Sequence, residues 1–528
     1  MMVDTEPQNV ILPIPGHGSL RGLRCGTSVH KFLGVPYALP PVGGRRWQKP
    51  TPLPADFVYG VDGAPLDCTK YGPICPQPAY VMRGMNLSAV EGSVSSEDCL
   101  LLNIWLPAAA PPQGKKWPVY VWLHGGWLQM GNPCHTPRTD PWELVDEAGA
   151  NLGAIVIAVG YRLNIFGFLA GEGLNGNFGL WDQRCALEWV QRHISSFGGD
   201  PNQVTLGGLS AGAFSTHSQL QYELLHAAGS PPLFHNIFMC SNAISVQPKS
   251  IQETESQLQE VLDFLGIDPS LSRQQRLSHL RKVSSKELIA ALSSLRLNSF
   301  RAVTDQDFIH GDMIERFRDG TVAKRFRDRG IRVVIGETES EQHMYSLINP
   351  PSSMDTMQTA LENYYPAEIC DKLISTYDRR EQDVGKFYGM ITSDIQVRAP
   401  IRAFCKSLVD AGVPLSNILR YRSGFRARCI DSIYSPDLGV THSVDMCVWW
   451  YLIRFGYKPE ETTATKDWLG RSLIPLIRGK PLESGCTKID QYLKFMPDAT
   501  IAVVDDLYWN DMIALSELCI APSSRLDS

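Results

Sequence analysis

An α/β protein built around a mostly parallel sheet is predicted by three features of this 528-residue sequence. Residues 119–123 (VYVWL) and 155–159 (IVIAV) are apolar throughout. Strands of that kind are buried on both faces, as in parallel sheets covered by helices. Segments of helical period alternate with them. Finally, Gly208-Leu209-Ser210-Ala211-Gly212 stands where an apolar run passes into a helix-compatible one.

The elements follow in order. Between the second and third apolar runs, Ala186, Val190, Ile194 and Phe197 recur at helical spacing and predict a helix over 181–197. Gly198-Gly199-Asp200-Pro201 ends it. Residues 204–209 form the third strand, and helix resumes at Ala211. Further on, Leu258, Val261, Leu262 and Leu265 make a helical stripe, and Ser284-Ser-Lys-Glu287 is a capping box. Residues 331–335 (IRVVI) return to strand character. One domain over 1–528 is expected, with helical cap or insertion regions at about 250–330 and 345–430.

Composition narrows the function. Apolar residues make up 44 %, charged residues 20 %, and the net charge is −6. No basic patch points to nucleic acid. No apolar run approaches the ~18 residues of a membrane span. Pro13 and Pro15 interrupt the only apolar piece near the start, so no secretory leader is read there and a cytoplasmic location is expected unless a leader was removed. Thirteen cysteines without a CxxC pair argue against zinc or dithiol chemistry, and no metal or cofactor is expected. Asn86-Leu87-Ser88 would be a glycosylation site only in a secreted protein.

Ser210 is placed at a strand-to-helix turn, where flanking glycines let a strained nucleophile sit. A serine hydroxyl needs a base, a carboxylate to orient that base, and donors for an oxyanion. His124-Gly125-Gly126-Trp127 directly follows the first strand and can bring Gly125, Gly126 and Trp127 N–H groups to a ligand. Glu337, Glu339 and Glu341 lie past the 331–335 strand, where open α/β sheets carry functional groups. Among the histidines after them, His343 is too close to the acids to lie on a separate loop, so order and context favour His442.

Asn177-Phe-Gly-Leu-Trp-Asp-Gln183, Phe197-Gly-Gly-Asp-Pro201, Ser210-Ala-Gly212, Phe32-Leu-Gly-Val-Pro-Tyr-Ala38 and Ser96-Glu-Asp-Cys-Leu-Leu-Leu-Asn103 resemble the type-B carboxylesterase/cholinesterase family, with GETESEQ and HGGW closest to its fungal members. The resemblance implies an α/β-hydrolase fold with a gorge built by insertions. It assigns Ser210, Glu341 and His442 as the triad, with Asp445 three residues beyond the histidine. Gly126, Trp127 and Ala211 become oxyanion donors, and Cys75 and Cys99 a disulfide pair. Leu209 stands where the family carries Glu, Trp127 where it carries a small residue, and Gln342 where it carries Gly. The 75–99 loop lacks the choline-binding tryptophan, leaving Tyr80 as a weaker platform.

The expected function is hydrolysis of a small-molecule ester, bulky and apolar, through an acyl-enzyme. The alternatives are acyl transfer or cyclisation from the same acyl-enzyme, and a non-catalytic adhesion protein. Trp127, Phe166, Phe168, Trp449 and Trp450 are the candidate gorge walls. The oligomeric state is not legible.

Overall fold

The computed structural model describes residues 8–82, 85–86, 93–136, 139–244, 246–377 and 383–520. Leu87 and Ser88 of the sequon lie outside them. A sheet of 13 strands runs through the protein. Its centre is parallel, in the order Ile155–Val159, Trp117–Leu123, Gly199–Leu209, Asn236–Cys240, Arg332–Thr338, Ile418–Ser423 and Gln491–Phe495. Antiparallel strands flank it on both sides. Every residue of Ile155–Val159 is buried. Each such Val or Ile contributes roughly 1.5–3 kcal/mol by burial, against about 1–2 kcal/mol of backbone entropy per ordered residue.

Helices cover both faces. Phe178–His193 continues through the 3₁₀ turn Ile194–Phe197 and stops at Gly198, whose φ of 78° suits glycine. The Ser284–Glu287 capping box starts the helix Ser285–Leu292, and Glu255–Phe264 buries Leu258, Val261 and Leu262. The 345–430 stretch is not helical to its end. Ile418–Ser423 is a strand of the central sheet, paired in register with Arg332–Thr338, so the helical part closes with Ala399–Asp410. No helix among the described residues is long and apolar enough to cross a membrane.

Cys75 and Cys99 are buried neighbours, but as free thiols rather than a disulfide. A hydrogen bond to Cys75, reinforced by burial, raises the Cys99 thiol well above its ordinary value, so the Cys99 sulfur stays protonated.

A buried ion network ties the Arg332–Thr338 strand to the C-terminal hairpin. Arg402 donates to both Glu337 oxygens at 2.9 and 3.0 Å and also reaches Asp506, which accepts from Arg420 as well. Burial alone would raise the Glu337 carboxyl, but the Arg402 charge and hydrogen bonds hold it at about 2 instead of 4.5. Such a depression is worth roughly 3 kcal/mol. The contribution is complete above pH 4.5 and lost as pH falls toward 2. Glu337→Gln is therefore expected to lower the urea midpoint at pH 7, with the gap to wild type narrowing below pH 4.5. An equal gap at every pH would rule out this origin.

Candidate active site

The site is built at the carboxyl ends of the parallel strands. Ser210 ends Gly199–Leu209 and precedes the helix Ala211–Leu225 at φ 56° and ψ −120°, a conformation that costs a non-glycine residue about 1–3 kcal/mol. Its N–H donates to the Cys240 carbonyl at 2.7 Å, fixing the turn to the next strand. The flanking glycines are required by contact. A Cβ on Gly208 would lie 2.3 Å from the Gly212 carbonyl, and one on Gly212 would lie 2.0 Å from the Leu123 oxygen. The hydroxyl is thus presented at a sharp corner by the strand, the helix and their close approach.

Tertiary structure distinguishes the three glutamates. Glu337 is held by Arg402, and Glu339 accepts from Lys494 at 2.6 Å. Glu341, fully buried, receives the His442 Nδ1–H on Oε2 at 2.6 Å. Its Oε1 accepts from Ser241 Oγ at 2.6 Å and from the Thr338 N–H at 2.8 Å. Burial pushes the Glu341 carboxyl up, but the His442 charge and these hydrogen bonds together bring it below its ordinary value, so it is a carboxylate. The loops carrying acid and imidazole are cross-linked by Ser340 N–H to Val440 O at 3.0 Å and Met344 N–H to Thr441 Oγ1 at 2.9 Å. His343 turns away and bonds Leu438 O.

Asp445 is also buried beside this pair and accepts from Trp449 Nε1 at 2.8 Å, while its Oδ1 has no hydrogen-bond partner among the described residues. Burial, reinforced by the Glu341 charge, raises its carboxyl to about 7. Near neutrality it is therefore partly protonated, which limits the negative charge that Glu341 must tolerate.

Ser210 and His442 line one cavity of about 270 Å³, together with Gly125, Gly126, Trp127 and Leu209. No hydrogen bond joins the Ser210 hydroxyl to His442 among the described residues; such contacts are often loose before substrate binds. The N–H groups of Gly125, Gly126, Trp127 and Ala211 also have no hydrogen-bond acceptor among the described residues. Gly125 approaches closely: a Cβ there would lie 3.2 Å from Ser210 Cβ. Ala211 and Glu341 are buried behind the cavity rather than lining it.

The aromatic walls differ from the sequence reading. Trp127 and Trp450 line the cavity, but Phe166, Phe168 and Trp449 do not. Phe166 and Phe168 belong to a short buried helix packed into the core, and Trp449 packs edge-on against Phe238 and Tyr421. Trp122, Met344, Ile348 and Tyr434 also line the cavity. Trp122 lies in the first predicted strand, but its sequence does not distinguish which alternate residues face the cavity. Tyr80 stacks beside Trp127 at 6.3 Å between ring centroids. Gln342 points away from His442, its Oε1 accepting from Arg398 at 2.6 Å.

A larger cavity of about 890 Å³ lies on the other side of the Glu341–Tyr345 helix, lined by Gln342, His343 and charged side chains that include Asp394 and Arg398, themselves an ion pair. It lacks Ser210 and His442, so volume alone does not identify the reactive site. No group of three or more His, Cys, Asp or Glu among the described residues is arranged to hold a metal.

The carboxylesterase family model matches residues 8–474. An uncharacterised esterase/lipase of Schizosaccharomyces pombe is 38 % identical over 94 % of each chain. A carboxylic ester hydrolase of Gibberella moniliformis is 36 % identical over 95 % of this chain and 92 % of its own. The para-nitrobenzyl esterase of Bacillus subtilis is 32 % identical over 69 % of this chain and 70 % of its own. The chain belongs to the carboxylesterase family and is a carboxylic-ester hydrolase.

Proposed function

We propose that this hydrolase works through a Ser210 acyl-enzyme. His442 Nε2 takes the hydroxyl proton as Ser210 Oγ attacks the ester carbonyl. Glu341 fixes the tautomer by accepting from Nδ1–H and stabilises the imidazolium that forms. The N–H groups of Gly125, Gly126, Trp127 and Ala211 provide the oxyanion donors, of which each is worth on the order of 3–4 kcal/mol of barrier. The imidazolium then protonates the leaving alcohol, and water releases the acid by the same steps reversed. The observation that carries this reading is His442, held from behind by buried Glu341, lining one cavity with strained Ser210 beside N–H groups that have no acceptor among the described residues.

The cavity favours a compact apolar ester over a bulky one. Its volume of about 270 Å³ falls just below the roughly 300–1,000 Å³ of common ligand pockets, and Trp127 and Trp450 form part of its walls. One relative is named for para-nitrobenzyl esters, which makes short-chain para-nitrobenzyl and para-nitrophenyl esters suitable probes. A fluorophosphonate is expected to add one equivalent to Ser210, read by peptide mass spectrometry. Short acyl esters are expected to give higher kcat/KM than long ones. Labelling elsewhere would reject the serine assignment, and a preference for long acyl chains would reject the size assignment.

A further inference from the structure

We propose that Arg301 and Gln129 are positioning residues that brace the oxyanion turn from a distant segment of the chain. This rests on the acyl-enzyme reading above and extends it to residues outside the triad and its N–H donors.

The turn is conformationally demanding. Gly126 has φ 111°, and the two residues after it, Trp127 and Leu128, lie in the left-handed region at 56° and 64°. Consecutive non-glycine residues rarely remain there unless their surroundings hold them. Gly126 cannot be replaced without conflict, since a Cβ would fall 2.1 Å from the Met130 oxygen. The local Gly126 carbonyl bonds to the Gln129 and Met130 N–H groups close the turn, but leave the Trp127 carbonyl to be held by side chains.

That carbonyl is held twice. Arg301 Nη1 donates to Trp127 O at 2.7 Å, and Gln129 Nε2 donates to the same oxygen at 3.1 Å. The Gln129 amide is itself fixed to the downstream segment: Nε2 also donates to Phe300 O, while Oε1 accepts from the Phe300 N–H at 3.0 Å. The Arg301 guanidinium lies over the Tyr364 ring at 4.5 Å, limiting its movement. The Trp127 N–H and C=O flank one pair of backbone dihedrals. Fixing the carbonyl therefore helps fix where the N–H points, which is the requirement for a preorganised oxyanion donor. Arg301 touches neither substrate nor reacting atoms in this role.

Arg301→Met and Arg301→Lys test the brace. Arg301→Met is expected to lower kcat by about 10- to 100-fold with KM within about twofold, the pattern for an interaction felt in the transition state. Phenylboronic acid, whose serine adduct is tetrahedral, is expected to lose affinity by a similar factor, whereas benzyl alcohol, a ground-state occupant, is not. Arg301→Lys, which keeps a charged donor, is expected to recover most of kcat and of boronate affinity. Unchanged kcat and boronate affinity in Arg301→Met would overturn the proposal. Equal losses for phenylboronic acid and benzyl alcohol, with lysine giving no rescue and the melting temperature falling, would also overturn it by showing a structural role alone. Ser210→Ala with retained turnover would instead reject the parent reading, so the two failures are distinguishable.

Discussion

Ser210→Ala is expected to lower kcat by about 10⁴- to 10⁶-fold on any short-chain ester, leaving a folded protein. The substitution deletes the only atom assigned to bond the acyl carbon. It leaves the turn otherwise intact: the backbone at φ 56° is already adopted by a residue with a Cβ, and the bond from its N–H to Cys240 O remains. The hydroxyl makes no hydrogen bond to His442 among the described residues, so its removal leaves no orphaned partner in the core. Steady-state kinetics with active-site titration, alongside thermal melting, separates the two effects. Turnover within about tenfold of wild type would remove Ser210 from the mechanism, because losses at a nucleophile are far larger.

Glu341→Gln is expected to cost about 10³- to 10⁴-fold in kcat, although the side chain keeps its size. The reason lies in its three donors. Thr338 N–H and Ser241 Oγ both give hydrogen bonds to Oε1, and the backbone N–H cannot reverse direction. A glutamine must therefore keep its carbonyl oxygen at that position. Its NH₂ then faces His442 Nδ1, where the native carboxylate accepts at 2.6 Å. The imidazole can satisfy an NH₂ only by accepting on Nδ1, which moves its proton to Nε2 and removes the base from Ser210. KM is expected to change little, since Glu341 does not line the cavity. A loss below about tenfold in kcat would show that the carboxylate does not govern the tautomer.

The same arrangement shows how far the chain could be read before its structure. The uninterrupted apolar runs at 119–123 and 155–159 define buried strands by burial on both faces alone, and the glycines around Ser210 mark a turn that only a small residue can make. The capping box at Ser284 is local chemistry, complete within four residues. Ser241, in contrast, is an unremarkable residue after a strand. Its role depends on Glu341 lying a strand away and having a second oxygen to satisfy. Arg301 and Gln129 likewise gain meaning only when residues 127 and 301 meet.

What the sequence by itself determined was the family, the alternation of strand and helix, and the turn that exposes Ser210, because each is encoded in short-range pattern. Only the tertiary structure decided how Glu337, Glu339 and Glu341 divide their partners, which aromatics wall the cavity, and that Cys75 and Cys99 stand as thiols. Those outcomes depend on hydrogen-bond partners and burial contributed by segments far apart in the chain, and no local pattern specifies where a distant arginine, lysine or imidazole will arrive.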